Sequence, residues 1–226
     1  MATALVTVQG SYSTFHPAER ATLFVSVSFD GSKRDAVFAK ANSAADDIRK
    51  RVSALHNEKT GPVTKWSSDQ VQVWGSRPWS QDGKQLPFVY HASIGFNAAF
   101  SDFAALSKLV EQLASIEGVS LGSITWELTD ARLKALTTEV QAKAVQDAAA
   151  KAKSYAKAAG FKKVQAVAIA DPGMLGNSGS SAEAPRLKMA AMRSFAGREA
   201  DAVPELSLKP EDIEVSASVD ARFEAS

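Results

Sequence analysis

The 226-residue chain contains no cysteine. That absence removes disulfide frameworks, thiolate zinc sites, Fe–S clusters and thiol nucleophiles together. Its three histidines, His16, His56 and His91, lie far apart in sequence and suggest no histidine metal cage. Charge of one sign is also missing: 26 Lys+Arg against 25 Asp+Glu leave a formal +1, which supplies no global field for nucleic acid or an anionic membrane. No run approaches the roughly 18 apolar residues of a membrane span. The first residues lack the basic, apolar, small-residue order of a secretory leader, so the chain as written is expected in the cytoplasm. A leader removed beforehand would place it in the periplasm or outside the cell.

What is present is a composition for burial. With 45% hydrophobic residues and a prior of about 150 residues per domain, the chain is one large domain or two small ones. Alternation is its strongest signal. Thr3 to Gly10 reads as a strand, and from Ala21 to Phe29 the apolar Leu23, Val25, Val27 and Phe29 alternate with Thr22, Ser26 and Ser28, Phe24 being the exception. Asp30-Gly31 ends this strand, and Ser32 is placed to cap a helix whose stripe is Val37, Ala41, Ala44, Ile48, Val52 and Leu55. Gly61-Pro62 stops the helix.

Gln70 to Val73, then Phe88 to Phe100 with an apolar residue at every even position, form two strands. Gly75, Pro78, Asp82-Gly83 and Pro87 mark the connection between them. A helix opened by Ser101 and Asp102 turns Leu106, Leu109, Val110, Leu113 and Ile116 inward and is closed by Gly118. A strand from Val119 to Thr129 changes phase near Gly122, which predicts a bulge. Asp130 caps a long helix to Ala159 whose inward face is largely alanine, so it is expected to lie close against its neighbour. Val164 to Ala170 is a further short strand.

Between Pro172 and Pro210 the Gly/Ser-rich stretch from Gly173 to Ser181, a short Ala/Met/Arg patch and Pro204 read as an excursion that leaves the fold. It returns in Ile213 to Phe223, which alternates Ile213, Val215, Ala217, Val219, Ala221 and Phe223 with polar residues and needs a sheet to join. The expected division is a body over 1–171, a linker over 172–210 and a returning strand over 211–226, one domain overall. The order β-β-α-β-β-α-β-α-β plus a C-terminal strand argues an α+β fold, a mixed, largely antiparallel sheet with helices packed on it.

That order resembles the SIMPL-domain family, also described as periplasmic-immunogenic-protein-like. Supporting strings are Val6-Thr7-Val8-Gln9-Gly10, Phe88-Val89-Tyr90-His91-Ala92, the Ala/Lys helix from Ala142 to Gly160, and above all Lys209-Pro210-Glu211-Asp212-Ile213-Glu214-Val215 running on to Val219. The resemblance covers about Ala4 to Phe223. It implies an α+β fold, frequent export in bacteria, a tendency to homo-oligomerise and no established catalytic residues. The chain departs from it in lacking a leader and in carrying Trp66, Trp74 and Trp79 around the first hairpin.

Candidate sites follow from residue chemistry. A hydrolase needs a nucleophile, a base and an orienting group, and His91 with a Ser and an Asp is the one set worth testing. His91 lies on the polar side of its strand with Ser93 and Asn97, and no G-x-S-x-G elbow occurs. Asp46-Asp47 point about 100° apart on a helix and read as a solvated face. Lys143, Lys151, Lys153, Lys157, Lys162 and Lys163 make the third helix and its exit basic, but Glu139 and Asp147 dilute that charge and stacking aromatics are elsewhere. The interaction residues expected are Trp66, Trp74, Arg77 and Trp79 on the hairpin, with Met189, Met192 and Phe195 in the excursion. The expectation is a non-enzymatic, self-assembling interaction protein with no cofactor, metal or nucleic-acid partner. The alternatives are a ligand- or nucleic-acid-binding module on the basic helix and an enzyme of unknown reaction.

Overall fold

The alternating segments become strands and the three-and-four stripes become helices in the computed structural model, which describes residues 3–79, 85–175 and 208–226. In chain order these are β1 (Ala4–His16), β2 (Arg20–Gly31), α1 (Arg34–Leu55), β3 (Val63–Ser68), β4 (Gln72–Ser76) and β5 (Val89–Phe100). Then come α2 (Phe103–Ala114), β6 (Val119–Glu127), α3 (Asp130–Ala158), β7 (Val164–Ala170) and β8 (Ile213–Ala225). The fold is α+β, as expected, but its strands form two antiparallel sheets where the sequence reading had one mixed sheet, and β3 is one strand more than that reading contained. The reason is local: Val63 and Trp66 are three residues apart, yet a register shift between Val63 and Lys65 sets them opposite Phe100 and Ala98, both core residues of β5. Met189, Met192 and Phe195 fall outside the described residues, as does most of the expected linker.

The chain divides into two compact units. The inner unit comprises Ala18–Glu127 and Ala202–Glu211, and its sheet has the order β3-β5-β2-β6 with β4 also on β5. β3 pairs one end of β5 and β4 the other. Ala21, Leu23, Val25 and Val27 stand opposite Phe100, Ala98, Phe96 and Ile94, which gives one apolar face. Ile48 and Val52 of α1 and Leu106, Leu109 and Leu113 of α2 pack into that core. Burial of each such side chain stabilises by about 1.5–3 kcal/mol.

Phe24, the exception to the alternation, points away from this core and lies over two glycines. A Cβ on Gly122 would stand 2.6 Å from its Cδ1, and one on Gly95 3.6 Å from its Cε2. The predicted bulge is here: Leu23 pairs Ile124 and Val25 pairs Leu121, so Gly122 and Ser123 together oppose Phe24. Gly118 does not close α2, whose C-cap is Ser115. It sits at φ 77 in the next turn, which the Val119 N–H closes by donating to the Ile116 carbonyl at 3.2 Å. Asp102 caps α2 by accepting from the Ala104 and Ala105 N–H groups. Ser32 is not the cap of α1; Lys33 holds that position without a side-chain bond.

The terminal unit comprises Met1–Pro17, Leu128–Asp201 and Asp212–Ser226, and its sheet has the order β1-β8-β7. β8 is the central strand. It pairs β1 along its full length, from Ala4 opposite Ala225 to His16 opposite Ile213. α3 packs on one face, setting Ala144, Ala148 and Ala152 against Val8, Val219, Ala221 and Phe223, and Leu136 and Val140 against Leu128 and Val215. Thr129 caps this helix through its Oγ1, which accepts from the Arg132 N–H at 3.3 Å; Asp130 is instead the first helical residue. The helix ends in a Schellman motif, with Phe161 N–H donating to the Ala156 carbonyl and Gly160 N–H to that of Lys157.

The alanine face brings α3 close, and Gly10 completes the approach. A Cβ on Gly10 would collide with the Ala144 carbonyl oxygen and stand 2.6 Å from the Ala148 nitrogen. Gly10→Val is therefore expected to lower stability by about 3 kcal/mol or more, because helix backbone must move. Gly160→Ala meets no atom within 4 Å and sits at φ 88, so it should cost only about 1 kcal/mol of left-handed strain. Urea unfolding midpoints compare the two, and a Gly10→Val protein as stable as the Gly160→Ala protein would refute the close-packing account.

Candidate functional site

The sequence-predicted tryptophans separate in the structure. Trp66 on β3 turns inward and packs against the inner core, covering its own chain. Val73 of β4 opposes the buried Ala92, so its neighbour Trp74 faces the other way, opposite His91. There the indole stacks on the imidazole, with centroids 5.4 Å apart and planes at 24°. Trp79 stands in the connection after β4, 81% exposed. Arg77, also exposed, donates from Nη1 to Gln85 Oε1 at 2.7 Å across the ends of that connection. Phe88 lies where a side chain on Gly75 would be and meets Tyr90 edge-on at 5.2 Å. The hairpin thus gathers Trp74, Arg77, Trp79 and Phe88 at one end of the sheet, all exposed.

His91 does find a serine. Ser76 Oγ and His91 Nε2 are 3.0 Å apart, and Asp30 on β2 stands opposite His91 in register. A triad needs its acid bonded to the second ring nitrogen, and among the described residues no carboxylate makes that bond. His16 lies 3.3 Å from an Arg132 nitrogen, and His56 Nδ1 lies 3.1 Å from the Val63 carbonyl at the end of α1. Asp46 accepts from Arg49 at 2.7 Å on the surface of α1, and Asp82-Gly83 falls outside the described residues. No group of three His, Asp or Glu that could hold a metal occurs among the described residues. A shallow hollow lined by Phe29, Lys40, Asp47 and Glu117 is crossed by a Lys40–Glu117 pair at 3.9 Å, a surface contact worth little. Every buried side chain among the described residues is apolar.

The basic helix has a use that the sequence reading missed. The Ser11 N–H donates to Asp147 Oδ2 at 2.9 Å, and Lys151, 2.7 Å from that carboxylate, donates to the Gln9 carbonyl at 3.0 Å. Gln9 and Ser11 flank Gly10, and residues two apart on a strand aim their backbone groups the same way. Asp147 and Lys151 therefore occupy hydrogen-bonding positions on the edge of β1 that β8 leaves open. Lys143 is 2.8 Å from Glu139, donates to the Tyr12 hydroxyl at 3.2 Å and lies 4.6 Å from the centre of that ring. The signal was legible as two acid-to-lysine pairs at i,i+4, Glu139/Lys143 and Asp147/Lys151. What they face was not.

A family model described as SIMPL, protein of unknown function (DUF541), matches residues 6–223, nearly the whole chain. No curated protein matches. A solved structure from Burkholderia cenocepacia, described as a candidate amidohydrolase/peptidase, is similar at 15% identity over 55% of this chain, with a TM-score of 0.28. The match covers 33% of that protein's length, and a likeness at this level bears on neither fold nor activity. No helix among the described residues is long and apolar enough to cross a membrane.

The clamp on β1 carries a pH dependence. The hydrogen bond from Lys143 holds the Glu139 carboxyl below its ordinary 4.5, and those from Lys151 and the Ser11 N–H hold Asp147 below its ordinary 3.8. Each carboxylate therefore contributes stability above its ordinary value and loses it as pH falls through the lowered one. Glu139 in turn, with Tyr12, raises Lys143 above 10.5, so that lysine's contribution is lost as pH rises through the raised value. Chemical denaturation from neutral pH down through these windows is expected to destabilise the native chain more steeply than an E139Q/D147N protein. Parallel curves for the two would refute the assignment.

Proposed function

The chain belongs to the SIMPL family, and we propose that this member is a non-enzymatic protein that assembles with copies of itself. The observation that carries this reading is the exposed aromatic end of the β4–β5 hairpin, where Trp79 is 81% and Trp74 49% exposed beside Leu86, Phe88 and Arg77. Tryptophan and arginine are the commonest anchors of protein interfaces. Covering two indoles of roughly 150–250 Å² each, at roughly 25 cal/mol per Å², supplies several kcal/mol.

Light scattering after size exclusion tests it. The protein, 24.0 kDa per chain, is expected to elute as a multiple of that mass at tens of micromolar. A W74A/W79A protein should need at least about ten-fold more protein to assemble, as the loss of an interface anchor does. A clean monomer at the same concentration overturns the proposal.

A hydrolytic reading has one observation in its favour, the 3.0 Å contact of Ser76 with His91. An active serine reacts with a fluorophosphonate ester. On the proposed function Ser76 stays unmodified, and an adduct there that H91A abolishes would establish the enzyme instead.

A further inference from the structure

The sheet of the inner unit has a second face. α1 and α2 pack on the first, where Leu23, Val25, Ile94 and Phe96 point, and no side chain of β2 or β5 on the second is buried. Residues directly opposed on antiparallel strands share a face, so the register sets Gln72, Ser93 and Ser28 in one row there and Ser67, Asn97 and Phe24 in another. Among the described residues, the side chains of these three serines, Gln72 and Asn97 have no hydrogen-bond partner. Two aromatic rings lie among them. Phe24, 39% exposed, has glycine at opposite edges of its ring, Gly122 against Cδ1 and Gly95 against Cε2, so no side chain stands beside it there. Trp74 is backed on one side by His91 and is 49% exposed. The Asp69 carboxylate lies over Gly95, between the two rows.

Open aromatic faces among unpartnered hydroxyl, amide and carboxylate groups match a ligand whose ring is apolar on its face and hydroxylated round its rim, which is the chemistry of a pyranose. Charge narrows the choice. No Lys or Arg occurs in Phe24–Asp30, Gln72–Ser76 or His91–Asn97, while Asp30 and Asp69 bring carboxylates to this face. Phosphate and sulfate groups are therefore repelled, and hydroxyl donors are not. Trp74 stands opposite His91 and Phe24 opposite Asn97, six residues or roughly 20 Å apart along β5, so one sugar ring cannot reach both. We propose that this face of the inner sheet binds a neutral oligosaccharide, with sugar rings stacked on Trp74 and Phe24 and hydroxyls held by Asp69, Asn97 and the serines between. Trp74 serves this site and the proposed assembly surface alike, whereas Phe24 and Asp69 lie away from the hairpin end and serve this site alone.

Titration calorimetry with three hexasaccharides tests it: β-linked glucose, α-linked glucose and β-linked N-acetylglucosamine. At least one is expected to bind with a Kd of about 1 mM or tighter, unchanged between about 0.05 and 0.5 M salt. F24S and W74A should each weaken that binding about ten-fold. S28K, which sets a long side chain between the rings and replaces neither, should weaken it as much, so the site is tested even where a ring variant fails to fold. F24S should leave the assembly midpoint where it is. No binding of any of the three at about 10 mM, or equal affinity in native, W74A and S28K proteins, overturns the proposal. So does a chain that binds polylysine and none of the sugars, which would make the carboxylates a surface for cations. Each of those results leaves the self-assembly reading standing, and a monomer that binds a hexasaccharide overturns that reading alone.

Discussion

The terminal unit depends on one pairing, the insertion of β8 between β1 and β7. The first and seventh strands have no bond to each other, so neither belongs to a sheet until the last strand arrives. β8 earns that place by strict alternation: Val215, Val219, Ala221, Phe223 and Ala225 are buried while Glu214, Ser216 and Glu224 face solvent. A slip of one residue would exchange the two sets, so the register with β1 is held by burial along the whole strand. Its contacts join opposite ends of the chain, which is entropically the most demanding kind. Closure cost grows only slowly with loop length, so the stretch between Ala170 and Ile213 is free to be long and rich in glycine and serine.

Once that sheet exists, α3 contributes in two ways that rely on each other. Its alanine face and the bare backbone of Gly10 allow close contact between helix and strand. Only from that distance do short Asp147 and long Lys151 reach the main chain of β1 on either side of Gly10. Charged side chains on an exposed helix are ordinarily worth little, since water competes for them. Here they meet backbone donors and acceptors that an edge strand otherwise leaves unpaired. The same residues thus hold a surface helix in solution and close a sheet edge.

Most of the fold was legible because burial here is one-sided. Two-residue alternation in β2, β5 and β8 and the three-and-four stripes of α1 and α2 are what one apolar face per element writes into a sequence. Phe24 and Gly122 were visible as irregularities, and the bulge that reconciles them was predictable from the phase change alone. β3 was hidden because its own register shift spaces Val63 and Trp66 by three. The caps at Lys33 and Thr129 were misplaced by one residue, the ordinary uncertainty where several residues nearby can serve. At the candidate site, the sequence marked the tryptophans but not their directions. Only pairing partners separate inward Trp66 from outward Trp74. The clamp on β1 was illegible for a different reason, since it uses main-chain atoms, which carry no sequence signature.

The two edges of the β1-β8-β7 sheet are finished differently. Charged residues are plentiful, 26 basic and 25 acidic in 226, and two of them guard β1. None falls within β7, although Lys163 and Asp171 bracket it directly. An edge left bare for want of charged residues would not have them immediately before and after it. The register shift at Val167 nevertheless sets Lys163, paired beside Ser226, and Asp171 on opposite faces of the sheet. The hairpin of the inner unit instead exposes the aromatic rings of Trp74, Trp79 and Phe88. The two surfaces thus differ in kind: β7 presents main-chain groups that no strand pairs among the described residues, and the hairpin presents exposed aromatic area.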